Sequence, residues 1–298
     1  MKCTSPVMIT RNLDPRKFPM GLKVPCGRCM ACRVSRREEW ILRLTHELES
    51  WSSCIFLTLT YDDEHLPPNK SLVKRDVQLF LKKLRRAIHP RKVKYFCTGE
   101  YGDEKKRPHY HLIIFGLDYC SKEDREIIKQ SWDLCDWDSL GSRPFGDVSH
   151  ASIRYVVDYL EKTVLGDQAN DVYDKTKRAR PFQLVSKGFG FEWAKKHYEE
   201  LIKDTNIYVK GIPRPAPRYY TEKLSIDRSN MAKEALEKEA VIVESVIGIE
   251  ATRDQIYRSC NKDEILKVED AWHRSDNQRD LNIKANMDIK RRRKREKF

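Results

Sequence analysis

A short hydrophobic segment with two histidines, Pro108–Phe115, constrains this chain more than any other feature. Successive side chains of an extended strand point to opposite faces, so His109 and His111 would project from one face. Glu100 lies near the end of the preceding candidate strand, residues 93–101. If the two strands pair as a hairpin, its carboxylate returns to that face. Two imidazoles and one carboxylate suit a divalent ion that also holds an oxygen-rich substrate.

A second motif follows about forty residues later, where Tyr155, Tyr159 and Lys162 have the spacing i, i+4 and i+7. This spacing places two phenols and an ammonium on one side of a helix. Tyrosine can act as a covalent nucleophile, and positive potential from a lysine and a metal ion would help it to ionise. Surface histidines and packing tyrosines are the plainer interpretations of the two motifs. Their occurrence in one chain favours chemistry.

These motifs carry a resemblance to the HUH endonucleases, a family named for its His-hydrophobe-His strand. More narrowly, the chain resembles the rolling-circle replication initiators of small single-stranded DNA phages, the microviruses, and especially their gokushovirus branch. The similarity spans roughly residues 1 to 224, and the matching segments are residues 24–32, 56–61, 99–102, 107–111 and 155–162. Asp158 is a departure, because a lysine is expected between the two tyrosines.

The resemblance implies an enzyme that nicks a single-stranded site in the origin of a circular phage genome and later rejoins the strand. Glu100, His109 and His111 would hold Mg²⁺ or Mn²⁺, and Tyr155 or Tyr159 would form a 5′-phosphotyrosine bond beside Lys162. The implied partners are origin DNA and the host polymerase and helicase, in the cytoplasm of a bacterial host. A helicase is needed because the chain has no Walker-type phosphate-binding loop.

Three alternatives belong to other classes. A transposase or plasmid relaxase would share the nicking chemistry. A non-catalytic, zinc-containing nucleic-acid binding protein would explain the basic charge but not the tyrosine and lysine stripe. A cupin-like metal oxygenase needs a third ligand downstream of the histidines, whereas residues 112–117 offer none and the candidate carboxylate lies upstream.

The charge balance agrees with a nucleic-acid partner. The chain has 58 Lys and Arg against 45 Asp and Glu, a net charge of +13, and a basic tail at residues 290–297. Such a tail attracts phosphate without sequence preference. No window of eighteen apolar residues predicts a membrane span, and no secretory signal begins the sequence. An intracellular, reducing setting is therefore expected.

Four cysteines form a separate candidate metal site. Cys26, Cys29 and Cys32 are spaced as C-x2-C-x2-C, and Cys3 would complete a set of four sulfur ligands. This set is typical of structural zinc. Thiols on the opening turns of a helix, without any metal, are the alternative.

The hydrophobic periodicity predicts an α+β fold. Helices are expected at residues 33–51, 74–88, from Ser121 toward Trp132, and through the tyrosines, with strands at 55–61, 93–101, 108–115 and near Val148. The resemblance implies an HUH endonuclease-like core: a mainly antiparallel five-stranded sheet flanked by helices, with the histidine strand central. The predicted division is an arm with the cysteines and a helix (1–52), the HUH core (53–165), a Gly-, Pro- and aromatic-containing region packed on it (166–224), and a helical extension with the basic tail (225–298). We interpret residues 165–222 as a connector or a segment that follows a single DNA strand.

Overall fold

A computed structural model of the chain describes residues 3–11, 22–102, 105–162, 169–204, 206–209, 211–226 and scattered positions from 245 to 278. The chain divides into two compact units. The core unit is residues 37–197, and the second unit is residues 1–36 together with 198–298.

The elements follow one another along the chain as alternating strands and helices. The strands are β1 (Val7–Ile9), β2 (Leu22–Val24), β3 (Cys54–Leu59), β4 (Lys94–Tyr101), β5 (Pro108–Phe115), β6 (Phe145–Gly146), β7 (Phe182–Val185), β8 (Asn206–Val209) and β9 (Ile212–Pro215). The helices are α1 (Met30–Leu48), α2 (Lys74–Ala87), α3 (Lys122–Ser131), α4 (Trp137–Leu140), α5 (His150–Lys162), α6 (Phe191–Lys196), α7 (Tyr198–Lys203) and α8 (Arg218–Lys223).

The core unit is built on a five-stranded sheet in the order β6-β3-β5-β4-β7, in which every neighbouring pair is antiparallel. The histidine strand β5 lies at the centre, between β3 and β4. A central strand covered on both sides is apolar on both faces, as β5 is apart from its histidines. The predicted α+β fold with a mainly antiparallel five-stranded sheet is confirmed.

Helices cover both faces of the sheet, and strand parity decides which residues meet them. On one face Ile113 and Phe115 of β5 pack with residues of α1 and α5. On the other face Leu112 and Ile114 pack with residues of α2 and α3. The side chains of α2 that enter this second cluster recur at helical spacing: Val77, Phe80, Leu81 and Leu84. The sheet is therefore the middle layer of three.

A buried carboxylate ties α1 to the sheet. Glu47 is 1% exposed, and it accepts hydrogen bonds from Trp51 Nε1 at 2.7 Å, Lys94 Nζ at 2.7 Å and the Gly190 amide at 2.8 Å. A buried charge is costly unless it is paired and hydrogen-bonded. Glu47 meets this condition, because all three donors come from different parts of the core unit.

Two strands differ from the sequence prediction. The strand expected near Val148 is β6, and it pairs through Gly146 opposite Phe56, while Val148 itself is buried in the core. The fifth strand, β7, comes from the region interpreted as a connector or DNA-tracking segment, and its Gln183 lies opposite Thr98 of β4. Both strands are very short, so their pairing depends on a long-range neighbour and not on their own pattern.

Other predicted boundaries are close to the observed ones. Helix α2 begins at Lys74 as predicted, and α3 begins after Ser121, whose side chain accepts from the Asp124 amide. Helix α1 begins three residues earlier than predicted, at Met30. Cys32 therefore lies within the helix.

The second unit contains two small antiparallel hairpins. Strand β1 pairs with β2, and β8 pairs with β9. The side chains of β1 are exposed. Of the predicted helical extension, residues 263–268 are helical, and most of the remainder and the whole basic tail lie outside the described residues. Among the described residues, no helix is long and apolar enough to cross a membrane.

An aromatic stack joins α1 to α6. The His46 ring lies flat on Trp193 at a centroid distance of 3.6 Å, and Trp193 lies on His197 at 3.9 Å. Burial, and then the charge of His197, lower the pKa of His46 to about 3. The folded protein therefore keeps this imidazole neutral.

This stack predicts a loss of stability in mild acid. The unfolded chain binds a proton at His46 below about pH 6.5, whereas the folded chain does not until about pH 3. The contribution of neutral His46 is thus lost as pH falls through 6.5, with a slope approaching ~1.4 kcal/mol per pH unit. We expect His46→Phe, which keeps a flat ring, to lose about 1 kcal/mol less free energy of unfolding than the wild type between pH 7.5 and 5.5. Urea unfolding measures this, with His150→Gln at an exposed position as control. Equal losses in His46→Phe and the wild type would contradict it.

Candidate active site

The pairing of β4 with β5 places the predicted ligands on one face of the sheet. Glu100 is the cross-strand partner of His109, and Thr98 is the partner of His111. Direct partners in an antiparallel pair share a face, and so do residues two apart on a strand. Glu100, His109 and His111 therefore all project toward the side that carries α1 and α5. The closest contact among them joins His111 Nε2 to Glu100 Oε1 at 2.8 Å.

A threonine on the neighbouring strand orients His111. Thr58 of β3 lies opposite His111, and its Oγ1 is 3.1 Å from His111 Nδ1. A hydrogen bond to one ring nitrogen fixes both the orientation and the tautomer of an imidazole. With Nδ1 occupied by the threonine, Nε2 is the nitrogen that faces Glu100. The sequence analysis did not identify Thr58, although its position in the alternating Leu57-Thr58-Leu59 run marks the same face as the site.

His109 lies beside the turn that joins the two strands. Its ring is parallel to that of His111, with 6.5 Å between centroids, and it hydrogen-bonds to the Arg107 carbonyl. Burial, and then the nearby His111, lower its pKa. A Cβ atom added to Gly102 would lie 3.0 Å from His109 Cε1, so the glycine gives this ring its space.

The three predicted ligands share a face without forming a closed cluster. Among the described residues, the four cysteines are the only group of three or more His, Cys, Asp or Glu side chains whose ligand atoms all lie within 4.8 Å of one another. Glu100 and His111 are in contact, and His109 lies further along the strand.

Both tyrosines of α5 pack against His111. The Tyr159 ring stacks flat on the imidazole at 5.0 Å, and the Tyr155 ring meets it edge-on at 5.2 Å. The two phenol rings are 5.1 Å apart. Phe56 of β3 completes the wall, with its ring 6.0 Å from that of Tyr155. The helix is held there by its buried side, because α5 packs on β4 and β5 through Ile153, Val156 and Val157.

The two phenols differ in environment. Tyr159 is 7% exposed, whereas Tyr155 is half-buried. Burial is the main cause that raises the pKa of Tyr159, followed by its hydrogen bond to Tyr155 and the charge of Glu100. Tyr159 is therefore a neutral phenol enclosed by the site, and Tyr155 is the one nearer to solvent.

The remaining residue of the predicted stripe, Lys162, ends α5, and its side chain lies outside the described residues. Asp158, which stands where a lysine was expected, has an ion pair with Arg37 of α1, with 3.6 Å from Oδ1 to Nη1. The departure from the family pattern therefore links the tyrosine helix to its neighbour.

The residue between the two histidines has a structural task. Tyr110 points to the opposite face and is fully buried. Its hydroxyl accepts from the Val73 amide at 2.7 Å and lies 2.9 Å from the Tyr61 hydroxyl, which donates to Asp76 at 2.7 Å. Val73 is the N-cap of α2 and has no side-chain cap of its own. Tyr110 thus satisfies a helix N-terminus from within the sheet.

The four cysteines lie in the second unit. Cys3 Sγ is 3.4 Å from Cys26 Sγ and 3.7 Å from Cys29 Sγ, and Cys32 belongs to the same group. All four are free thiols in the structure. This cluster could hold a metal ion.

The role of Tyr110 predicts the effect of Tyr110→Phe. Removing the hydroxyl leaves the buried Val73 amide without its partner, which typically costs about 1–3 kcal/mol. We expect the free energy of unfolding to fall by that amount in a denaturant titration. Tyr198→Phe, at an exposed position, should leave it unchanged. Unaltered stability of Tyr110→Phe would show that water or another group caps α2.

Comparison with known proteins places this site in a family. The family model for replication-associated protein ORF2 matches residues 54–164. Replication-associated protein VP4 of Bdellovibrio phage phiMH2K is 34% identical over 216 residues, 66% of this chain and 66% of that protein. Replication-associated protein ORF2 of Spiroplasma virus 4 is 30% identical over 234 residues, 70% of each chain. Replication-associated protein ORF4 of Chlamydia phage 1 is 28% identical over 221 residues, 70% of this chain and 54% of that protein.

The chain therefore spans just under two thirds of the length of the first of these relatives. No solved structure matches it. The matched segment, residues 54–164, contains the two histidines, Glu100 and both tyrosines of the site. On this similarity and its fold, the chain belongs to the ORF2 family of phage replication-associated proteins.

Proposed function

We propose that this chain is a replication initiator that nicks a single-stranded site in the origin of a circular single-stranded DNA phage genome. It would become covalently joined to the cut strand and later rejoin it, which completes rolling-circle replication. One observation carries the proposal: two tyrosines of α5 pack against His111 on the face that Glu100 and His109 share. This arrangement brings nucleophiles and metal-binding side chains together.

The donor set fits a catalytic divalent ion. In this proposal Glu100, His109 and His111 hold Mg²⁺ or Mn²⁺, because a carboxylate and two imidazoles leave coordination positions for phosphate oxygens. His111 Nε2 already faces the Glu100 carboxylate at 2.8 Å, and Thr58 holds the other ring nitrogen. When bound, such an ion polarises the scissile phosphate and stabilises the charge that develops on it.

The tyrosines supply the bond-making step. The phenol oxygen attacks phosphorus, the bond from phosphorus to the 3′ oxygen breaks, and the phenol proton ends on the departing 3′-hydroxyl. A 5′-phosphotyrosine bond remains. One phosphodiester replaces another, so the step needs no ATP. The free 3′-hydroxyl then primes synthesis by the host polymerase, while a host helicase unwinds the template.

Two nucleophiles allow cleavage and rejoining to alternate. After one round the second tyrosine attacks the regenerated origin, and the released 3′-hydroxyl attacks the first phosphotyrosine to close a circle. The phenol rings are 5.1 Å apart, so both can approach one phosphate. Tyr155 is half-buried, whereas Tyr159 is enclosed between His111 and Glu100. We therefore assign the first attack to Tyr155.

The proposal places the protein in the cytoplasm of a bacterial host, at the phage origin. A plasmid relaxase or transposase would use the same chemistry, and the names of the three relatives favour replication. A non-catalytic DNA-binding protein would bind the same oligonucleotides without forming an adduct. The experiment below separates that alternative from the proposal.

The decisive test is an adduct assay with the full chain, Mn²⁺ and single-stranded oligonucleotides tiled across a microvirus origin region. A 3′ label should transfer to the protein on a denaturing gel, because the phosphotyrosine carries the downstream fragment. A 5′ label should give a shorter, protein-free product that a polymerase can extend. DNA binding without either product would reject the proposal and favour the non-catalytic alternative.

Variants of the tyrosines test the alternating scheme. We expect Tyr155→Phe and Tyr159→Phe each to keep some single-round nicking but to release no circular product, with the greater loss of the first nick in Tyr155→Phe. The double variant should bind DNA and form no adduct. Lys162→Ala should slow both transfers, since it changes charge and not bond-making. Tyr208→Phe, an exposed position, is the control. Full circularisation by either single variant would disprove the two-nucleophile scheme.

The contact between Thr58 and His111 predicts a change in metal affinity. Thr58→Val keeps the shape but loses the hydrogen bond to Nδ1, so Mn²⁺ should bind about 10-fold more weakly, as is typical when the partner of a ligating histidine is removed. Thr58→Ser should restore affinity, and Thr60→Val, just beyond the end of the same strand, is the matched control. Titration followed by electron paramagnetic resonance measures free Mn²⁺. Equal Mn²⁺ affinity of Thr58→Val and wild type would remove Thr58 from the site.

A further inference from the structure

We propose that Cys3, Cys26, Cys29 and Cys32 bind one zinc ion in a closed tetrathiolate site that fastens the β1–β2 hairpin to the start of α1. This inference does not rest on the proposed nicking activity. It concerns the second unit alone, where the sequence offered zinc-bound and metal-free thiols as equal interpretations.

The spacing of the sulfur atoms fits a tetrahedral ion. A zinc ion bound at the usual Zn–S distance of about 2.3 Å separates its sulfur ligands by roughly 3.8 Å. The observed distances from Cys3 Sγ are 3.4 Å to Cys26 Sγ and 3.7 Å to Cys29 Sγ. All four sulfur atoms lie within 4.8 Å of one another. A disulfide would need about 2.05 Å, so these thiols are gathered without being bonded.

The backbone around the cluster is arranged for thiolates. The amides of Arg28 and Cys29 donate to Cys26 Sγ at 3.4 and 3.3 Å, and the Cys26 amide donates to Cys3 Sγ at 3.2 Å. Gly27 has a φ of 71°, a left-handed conformation that only glycine adopts at little cost. Its turn directs the amides of the next two residues onto the Cys26 sulfur. Donors aimed at a sulfur atom stabilise the charged form that a metal requires.

The ligand type selects zinc over the ions proposed for the catalytic site. Four thiolates are soft donors, which favour zinc, whereas Mg²⁺ and Mn²⁺ prefer oxygen and imidazole. Four protein ligands also leave no position for water or substrate, which is the mark of a structural site. The two proposed metal sites therefore differ in ion and in task.

The hairpin shows what the ion would stabilise. Strands β1 and β2 have three residues each, and Val7, Met8 and Ile9 are 51%, 44% and 38% exposed. Two short strands without a buried face are marginal in water. Cys3 precedes β1, Cys26 follows β2, and Cys29 and Cys32 flank the first residues of α1. The ion would thus join both ends of the hairpin to the helix, and its binding energy would take the place of a core.

Metal content and cobalt substitution of the full chain test the site. After dialysis against EDTA to remove weakly bound ions, we expect one zinc per chain by mass spectrometry of the elements. Replacing zinc with Co²⁺ should give the intense thiolate-to-cobalt absorption and the visible bands of a tetrahedral sulfur site. A chain that contains no zinc and gives no such spectrum, with all four thiols reacting freely, would overturn the proposal.

Variants and proteolysis test the role of the ion. Cys26→Ser should retain zinc at least about tenfold less strongly against a chelator, whereas Cys120→Ser, an exposed cysteine of the core unit, should match the wild type. Releasing zinc from the wild type with a mercurial reagent should speed tryptic cleavage at Lys23 and Arg28, which avoids any dependence on a variant that fails to fold. Unchanged cleavage after zinc release would reject the fastening role. Nicking assays on the same samples report separately on the proposed function.

Discussion

The register between β4 and β5 is the constraint on which the site depends. It sets Glu100 opposite His109 and aims His111 at the same face. A slip of one residue would turn all three polar groups into the apolar cluster beneath α2 and α3, and would expose the Tyr110 hydroxyl to the helices on the other side. The hydrogen bonds of Tyr110 to Val73 and Tyr61 oppose that slip. The buried tyrosine between two histidines thus helps to fix their direction.

The site lies within a packed interface between the sheet and α5. Tyr159 is stacked on His111 and 7% exposed, and Tyr155 and Phe56 form its outer wall. Such packing places the reacting groups accurately, and it gives the two phenols different access to solvent. The ion pair of Asp158 with Arg37 links the same helix to α1. Chemistry that alternates between two neighbouring nucleophiles would benefit from both properties, because the phosphate need move only slightly between them.

Much of the fold could be predicted from local pattern. Helix α2 begins at the predicted residue, and α3 begins with the Ser121 cap, because amphipathic spacing and capping are encoded within one segment. The central place of β5 agrees with its apolar residues on both faces. Strand β7 could not be predicted as part of the sheet, since four residues gain strand structure only from pairing with β4. The same holds for β6, where Gly146 pairs with Phe56 two residues before the predicted position.

By itself, the sequence determined the parity of His109 and His111, the helical spacing of the two tyrosines and the cysteine spacing, because each is a property of one extended or helical segment. The tertiary structure alone decided that Thr58 holds His111 and that Tyr159 is the enclosed phenol. These contacts join segments far apart in the chain. Their geometry follows from how helices pack on the two faces of a sheet, which no local pattern contains.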